Sequence, residues 1–194
     1  RLPGLVKADK QLRYMCIAGF FGPTIFIVVP FAAVYATEVT GLGDSFVGWL
    51  VAAKTVGMFL GNLLGGYLGD TRGGRLPFML SRIFRFFFCL GIPFAQTQEA
   101  LLLLFCLYGM SFTLNMVGNQ VLSLEISPDG KRPTYLGVIS TCTFPGILLV
   151  PLISSIVREF SSEIWPLALL SLTGAAIGTL AISRIREPRI RYLP

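Results

Sequence analysis

Histidine is absent from this chain of 194 residues. That absence removes the commonest general base, the serine–histidine nucleophile pair and the usual nitrogen ligand of zinc. Charge is scarce as well: 13% of the residues are Asp, Glu, Lys or Arg, against roughly 25% in soluble globular domains. The net charge is +6, but the basic residues sit between apolar runs and form no basic face, so no nucleic-acid partner is expected. Cys16, Cys89, Cys106 and Cys142 are isolated, each inside an apolar run and without C-x-x-C spacing. They read as small buried hydrophobes rather than metal ligands or disulfide partners. No metal cluster, nucleophile–base pair or phosphate loop is visible, so neither a cofactor nor an enzymatic activity is expected. The chain begins at Arg1 with no initiator Met and no cleavable signal pattern, and it reads as a piece of something longer.

What the chain has in quantity is apolar length, with 54% hydrophobic residues. A membrane-crossing helix needs about 20 mostly apolar residues. Six segments meet that length: 13–36, 46–68, 77–95, 100–124, 133–157 and 164–183. They are too long for strands and do not alternate with period two. The short polar breaks between them favour antiparallel neighbours. Pro23, Pro30, Pro93, Pro145 and Pro151 fall inside the runs, where membrane helices accommodate them as kinks. The expected fold is therefore an all-α integral membrane protein, one bundle of six transmembrane helices over residues 1–194.

The cations give the bundle an orientation. Arg1, Lys7, Lys10 and Arg13 open the first span, and Arg72, Arg75, Arg82 and Arg85 surround the break between the second and third. Lys131 and Arg132 separate the fourth from the fifth, and Arg184, Arg186, Arg189 and Arg191 follow the sixth. With alternating spans these fourteen of the sixteen Lys and Arg residues share one side. Arg158 is on the other side, with Glu38, Asp44, Glu99, Glu159 and Glu163, and Lys54 is inside a span. By the positive-inside rule both termini are cytoplasmic, and the plasma (inner) membrane is the expected location.

A polar turn, Gly66-Tyr67-Leu68-Gly69-Asp70-Thr71-Arg72-Gly73-Gly74-Arg75, joins the second and third spans. Gly57, Gly61, Gly65 and Gly69 recur every four residues and line one helix face. Such a face lets a neighbouring helix approach closely. Asp70, an acid among bases, would stabilise a guanidinium or a helix N-terminus. The fifth span offers an N-terminus at Pro133.

This turn resembles the signature of the major facilitator superfamily of secondary transporters, G-x-x-x-D-R-x-G-R-R. The match falls on Gly66, Asp70, Gly73 and Arg75, with Thr71 and Gly74 where basic residues are usual. Glu125-Ile126-Ser127-Pro128-Asp129-Gly130-Lys131-Arg132-Pro133 is similar to the loop after the family's fourth helix, and Glu187-Pro188-Arg189 to the ending of a half. The resemblance implies half of a twelve-helix fold, the C-terminal half, whose partners are the missing N-terminal half, the lipid bilayer and a small-molecule substrate, with room for a coupling ion. It implies secondary active transport by alternating access, with Gly66, Asp70, Arg72, Gly73, Arg75, Glu125 and Arg132 as the cytoplasmic gating motif. Asp70 would hold the second and fifth spans together when the cytoplasmic side is closed.

In that family the first and fourth helices of each half line the cavity. Ser111, Asn115 and Asn119 share a face of the fourth span, with Gln120 beside them. Substrate contact and interhelical hydrogen bonding are both open to them. Thr24 and Tyr35, with Phe20 and Phe31, fall near one face of the first span, for binding or for packing. Lys54 is about 12 Å deep at about 1.5 Å per residue, and it is expected to attract an anion or take part in coupling. Arg82 and Arg85 enter the third span from its cytoplasmic end and are expected to snorkel to the head groups. The spans hold no deep acid, so a proton carrier would belong to the missing half. The competing reading is a six-helix membrane protein that acts as a homodimer, receptor or scaffold.

Overall fold

Each apolar run is helical in the computed structural model, which describes residues 6, 9–161 and 163–185. The six spans are Lys10–Thr40, Asp44–Arg72, Arg75–Phe94, Gln98–Ile126, Arg132–Phe160 and Trp165–Ser183. Most run beyond the apolar segments, and two of them start at a polar side-chain cap. The Asp9 carboxylate accepts from the Gln11 and Leu12 N–H groups at 2.8 and 3.3 Å and starts the first span. The Thr97 hydroxyl accepts from the Ala100 N–H at 3.4 Å and starts the fourth. Gly41, with φ 66°, closes the first span in the left-handed conformation. Arg1, Lys7, Arg186, Arg191 and the Glu187-Pro188-Arg189 segment lie outside the described residues.

The first span is not one continuous α-helix. It is helical over Lys10–Phe21, tightens to a 3-10 turn over Gly22–Ile27, and resumes over Val29–Thr40. Pro23 and Pro30 supply no N–H, so carbonyls of the preceding turns lose their ordinary partners. In hydrocarbon each must find another. The Gly22 N–H takes the Gly19 carbonyl that Pro23 leaves, and two hydroxyls add donors within the tightened stretch: Thr24 donates to the Phe21 carbonyl at 2.8 Å, and Ser171 of the sixth span to the Thr24 carbonyl at 2.9 Å. The fifth span, by contrast, continues through Pro145 and Pro151.

Packing follows a rule visible in the pairs. The second and third spans pack on the fourth, the fifth and sixth pack on the first, and the third packs on the sixth. This pattern is unchanged when spans one to three are exchanged for four to six. Consecutive spans alternate in direction, so the two triplets have opposite orientation, as in an inverted repeat. The second and fifth spans stand at the margins. Only 17% and 22% of their most apolar stretches are buried, against 33% to 50% for the other four. Trp49, Phe59, Leu63, Phe144, Leu148 and Leu152 are among their exposed apolar side chains.

The glycine face of the second span meets the fourth. A methyl group on Gly57 would collide with the Cys106 carbonyl oxygen, and one on Gly61 with the Thr113 hydroxyl. Backbones this close maximise dispersion contact where no hydrophobic force acts between helices. Gly57→Ala should therefore lower stability by about 1–3 kcal/mol, the usual cost of overpacking. Gly48, on the same span, has open space around its Cα, and Gly48→Ala should hold or slightly raise the unfolding midpoint in detergent, because alanine favours the helix by about 0.5–1 kcal/mol. Equal midpoints for the two variants would contradict the packing.

Candidate functional site

Arg82 and Arg85 are three residues apart on the third span and so share a face. At about 1.5 Å per residue from Arg75 they lie about 10 and 15 Å into a hydrocarbon core of about 30 Å. Both side chains turn inward, with 1% and 3% of their surface exposed. Arg82 Nη2 donates to the Ala18 carbonyl at 3.2 Å, and Arg85 Nη1 to the Gly22 carbonyl at 2.6 Å. The break in the first span makes the first of these acceptors available: the Gly22 N–H bonds to the Gly19 carbonyl rather than one residue further back to Ala18, which frees the Ala18 oxygen. The expected snorkelling is overturned here, because freed carbonyls in the protein interior hold the guanidinium groups more closely than head groups could.

These arginines line a cavity of about 250 Å³ between the first, third, fourth and fifth spans. Asn115, Asn119 and Gln120 of the fourth span line it as well, and its lining has no acidic side chain. Three guanidinium nitrogens, Arg82 Nε and Nη1 and Arg85 Nε, have no hydrogen-bond partner, and neither does Asn115 Oδ1. The other expected cavity residues have different surroundings. Ser111 is buried and donates to the Ser81 carbonyl at 2.9 Å. Thr24 packs against Gly174 and lines a separate apolar cavity of about 150 Å³ with Phe20. The Tyr35 hydroxyl donates to the Pro93 carbonyl at 3.2 Å. Phe31 carries the Arg158 guanidinium 5.6 Å from its ring centre.

Lys54 finds aromatic rather than acidic company. Its ammonium lies 5.4 Å from the Tyr108 ring centre and 5.7 Å from that of Phe112. Ring quadrupoles stabilise a partly exposed cation at such distances by about 1 kcal/mol. Lys54 is not in the cavity lining, but Phe112 is, so one ring touches both the cation and the cavity. The sequence signal for the arginines was available: an i, i+3 Arg pair together with a Gly-Pro break at Gly22-Pro23 in another span.

The polar turn ties several helix ends together. Gly73, with φ 85°, ends the second span. Gly74 then lies against Leu122 of the fourth, and its N–H donates to Glu125 Oε2 at 3.1 Å. Arg75 Nη2 donates to the Ser183 carbonyl at the end of the sixth span at 2.9 Å. Arg132 pairs with Asp129 at 3.0 Å on the surface. Gly66 has open space beside it, and Asp70 and Arg72 are exposed. Asp70 is not without a partner, and the one expected for it is the start of the fifth span, Arg132–Phe160.

The sequence model of the Major Facilitator Superfamily matches residues 14–192. No curated protein sequence matches the chain.

Removing the Glu125 carboxylate would leave the buried Gly74 N–H without this acceptor. Glu125→Ala should therefore cost about 1–3 kcal/mol and speed tryptic cleavage at Arg72 and Arg75. Glu125→Gln, which keeps an acceptor oxygen, should restore most of the protection. Identical digestion of all three proteins would show that the bond does not hold the turn.

Proposed function

The chain belongs to the major facilitator superfamily of membrane transporters, and we propose that it is one six-helix half of a secondary transporter that moves a small solute by alternating access. The observation that carries this reading is a cavity at mid-depth whose largely apolar wall carries Arg82, Arg85, Asn115, Asn119 and Gln120. A bilayer-buried polar space with unused hydrogen-bonding groups is expensive unless something polar fills it. In inverted-repeat transporters the solute site is near the midplane, against the interface with the other half. The margins support the same arrangement. The second and fifth spans present their apolar faces outward, where a second six-helix unit would complete the cavity wall.

The end of the bundle that carries Lys10, Arg13, Arg72, Arg75, Lys131, Arg132 and Arg184 is the cytoplasmic one in this reading. There the turn joins the ends of the second, third, fourth and sixth spans through Gly74–Glu125 and Arg75–Ser183. Such a clasp lets these helices rock as one body. Asp70 and Arg72, exposed beside it, would make and break contacts with the other half as the cytoplasmic side closes and opens. Lys54, with its charge held on Tyr108 and Phe112, adds positive potential near the cavity.

The test is access from both faces. In the full-length protein, with its native cysteines replaced, Met116→Cys in the cavity wall should react with a membrane-impermeant thiol reagent from either side of a proteoliposome. Asp70→Asn should shift the ratio of the two labelling rates by several-fold. Labelling from one face alone, whatever the solute gradient, would refute alternating access.

A further inference from the structure

The two arginines of the cavity do more than their structural bonds require. Satisfying the Ala18 and Gly22 carbonyls takes one nitrogen from each guanidinium. A neutral donor is sufficient for such a task, as Ser171 demonstrates on the Thr24 carbonyl. Two full charges are therefore left over in a site that is almost completely buried. Arginine does not shed its proton to relieve the cost. The cavity lining provides no carboxylate to balance the charges.

From this we propose that the solute is a small organic oxyanion, a carboxylate or a phosphate monoester, that also carries a hydroxyl group. The proposal rests on the transporter reading above and names its substrate class. The guanidinium groups of Arg82 and Arg85 line the cavity and keep three buried nitrogens without a partner, so a small turn of either side chain offers them to the oxygens of an oxyanion, the ligand that guanidinium geometry matches best. Asn115 Oδ1 is the complementary case, a carbonyl oxygen without a donor on the same wall. A ligand hydroxyl supplies that donor. Asn119 and Gln120, one turn further along, offer further donors and acceptors. Cations are repelled by the arginine pair. Neutral polyols satisfy Asn115 but leave both charges uncompensated.

The experiment uses the full-length protein with Met116→Cys as its single reactive thiol, and reads how solutes slow its labelling. Malate and glycerol 3-phosphate are the probes, with succinate and glycerol as the forms lacking the hydroxyl or the charge. Malate or glycerol 3-phosphate should protect the thiol, succinate more weakly, and glycerol not at all. Arg85→Gln, which keeps a donor for the Gly22 carbonyl, should weaken protection about tenfold or more. Asn115→Asp removes no hydrogen bond of its Oδ1 and sets a negative charge beside the arginines, so it should weaken protection at least as much. Its unfolding midpoint separates this effect from misfolding.

Protection by glycerol equal to that by the anions would overturn the proposal, as would anion affinity unchanged in both variants. So would a response to neither probe while labelling still alternates between faces, an outcome that leaves the transporter reading standing. Labelling confined to one face and insensitive to every solute would remove both. Stabilisation by phosphatidylglycerol vesicles, with none by the soluble anions, would assign the arginines to a lipid head group and overturn the proposal.

Discussion

In hydrocarbon a backbone carbonyl released from its helix must find another donor, and at the centre of this protein that requirement decides which way two charges point. The first span gives up α-helical bonding at Gly22–Ile27. Ala18 and Gly22 take their donors from Arg82 and Arg85 of the third span, and Thr24 takes its donor from Ser171 of the sixth. The same few bonds knit three spans together and draw two guanidinium groups away from the bilayer surface. The polarity of the cavity follows from this step. Arginines held by their own helix alone would lengthen towards the head groups.

Around that centre the bundle is built by close backbone approach. Gly57 and Gly61 let the second span lie directly on the fourth, while Gly146 lies against the Phe20 carbonyl where the fifth meets the first. These two contacts correspond under the exchange of the two triplets, so one packing solution is used twice. Its consequence is that the first and fourth spans, each flanked on both sides, hold the interior, and the second and fifth are left with broad apolar margins. The broken span and the intact one face each other across the cavity. The break supplies acceptors for the arginines, and the unbroken fourth span keeps Asn115, Asn119 and Gln120 in register along its wall.

The polar turn works at the helix ends in the same spirit. Gly73 reverses the chain in a conformation that only glycine adopts comfortably, and Gly74 has no side chain to keep it off Leu122. Glu125 and Ser183 then receive the donors that the turn presents. Thr71, where the superfamily signature usually has a basic residue, donates instead to the Tyr67 carbonyl of its own helix at 2.6 Å. Gly74, at the other departure, lies where a long basic side chain would meet the fourth span's backbone. The two departures are thus compatible with the local packing of this chain.

Span number and the clustering of charge at one end were legible in the sequence, because hydrophobic length and charge order are properties of the chain itself. The glycine face was legible for the same reason: a four-residue repeat defines one side of a helix whatever it packs against. The cavity wall was only half legible. Ser111, Asn115 and Asn119 share one stripe, but the Ser111 hydroxyl is taken by the Ser81 carbonyl while Asn115 and Asn119 line the cavity. Lys54 reads as a buried charge in need of an anion, yet its ammonium is met by Tyr108 and Phe112. Arg82 and Arg85 were the least legible, since their direction depends on carbonyls more than sixty residues away. Local sequence determined that this is a membrane bundle and how it is threaded. Only the tertiary structure decided which polar groups meet, because a side chain's depth in the bilayer can be counted along its own helix but its partners belong to another.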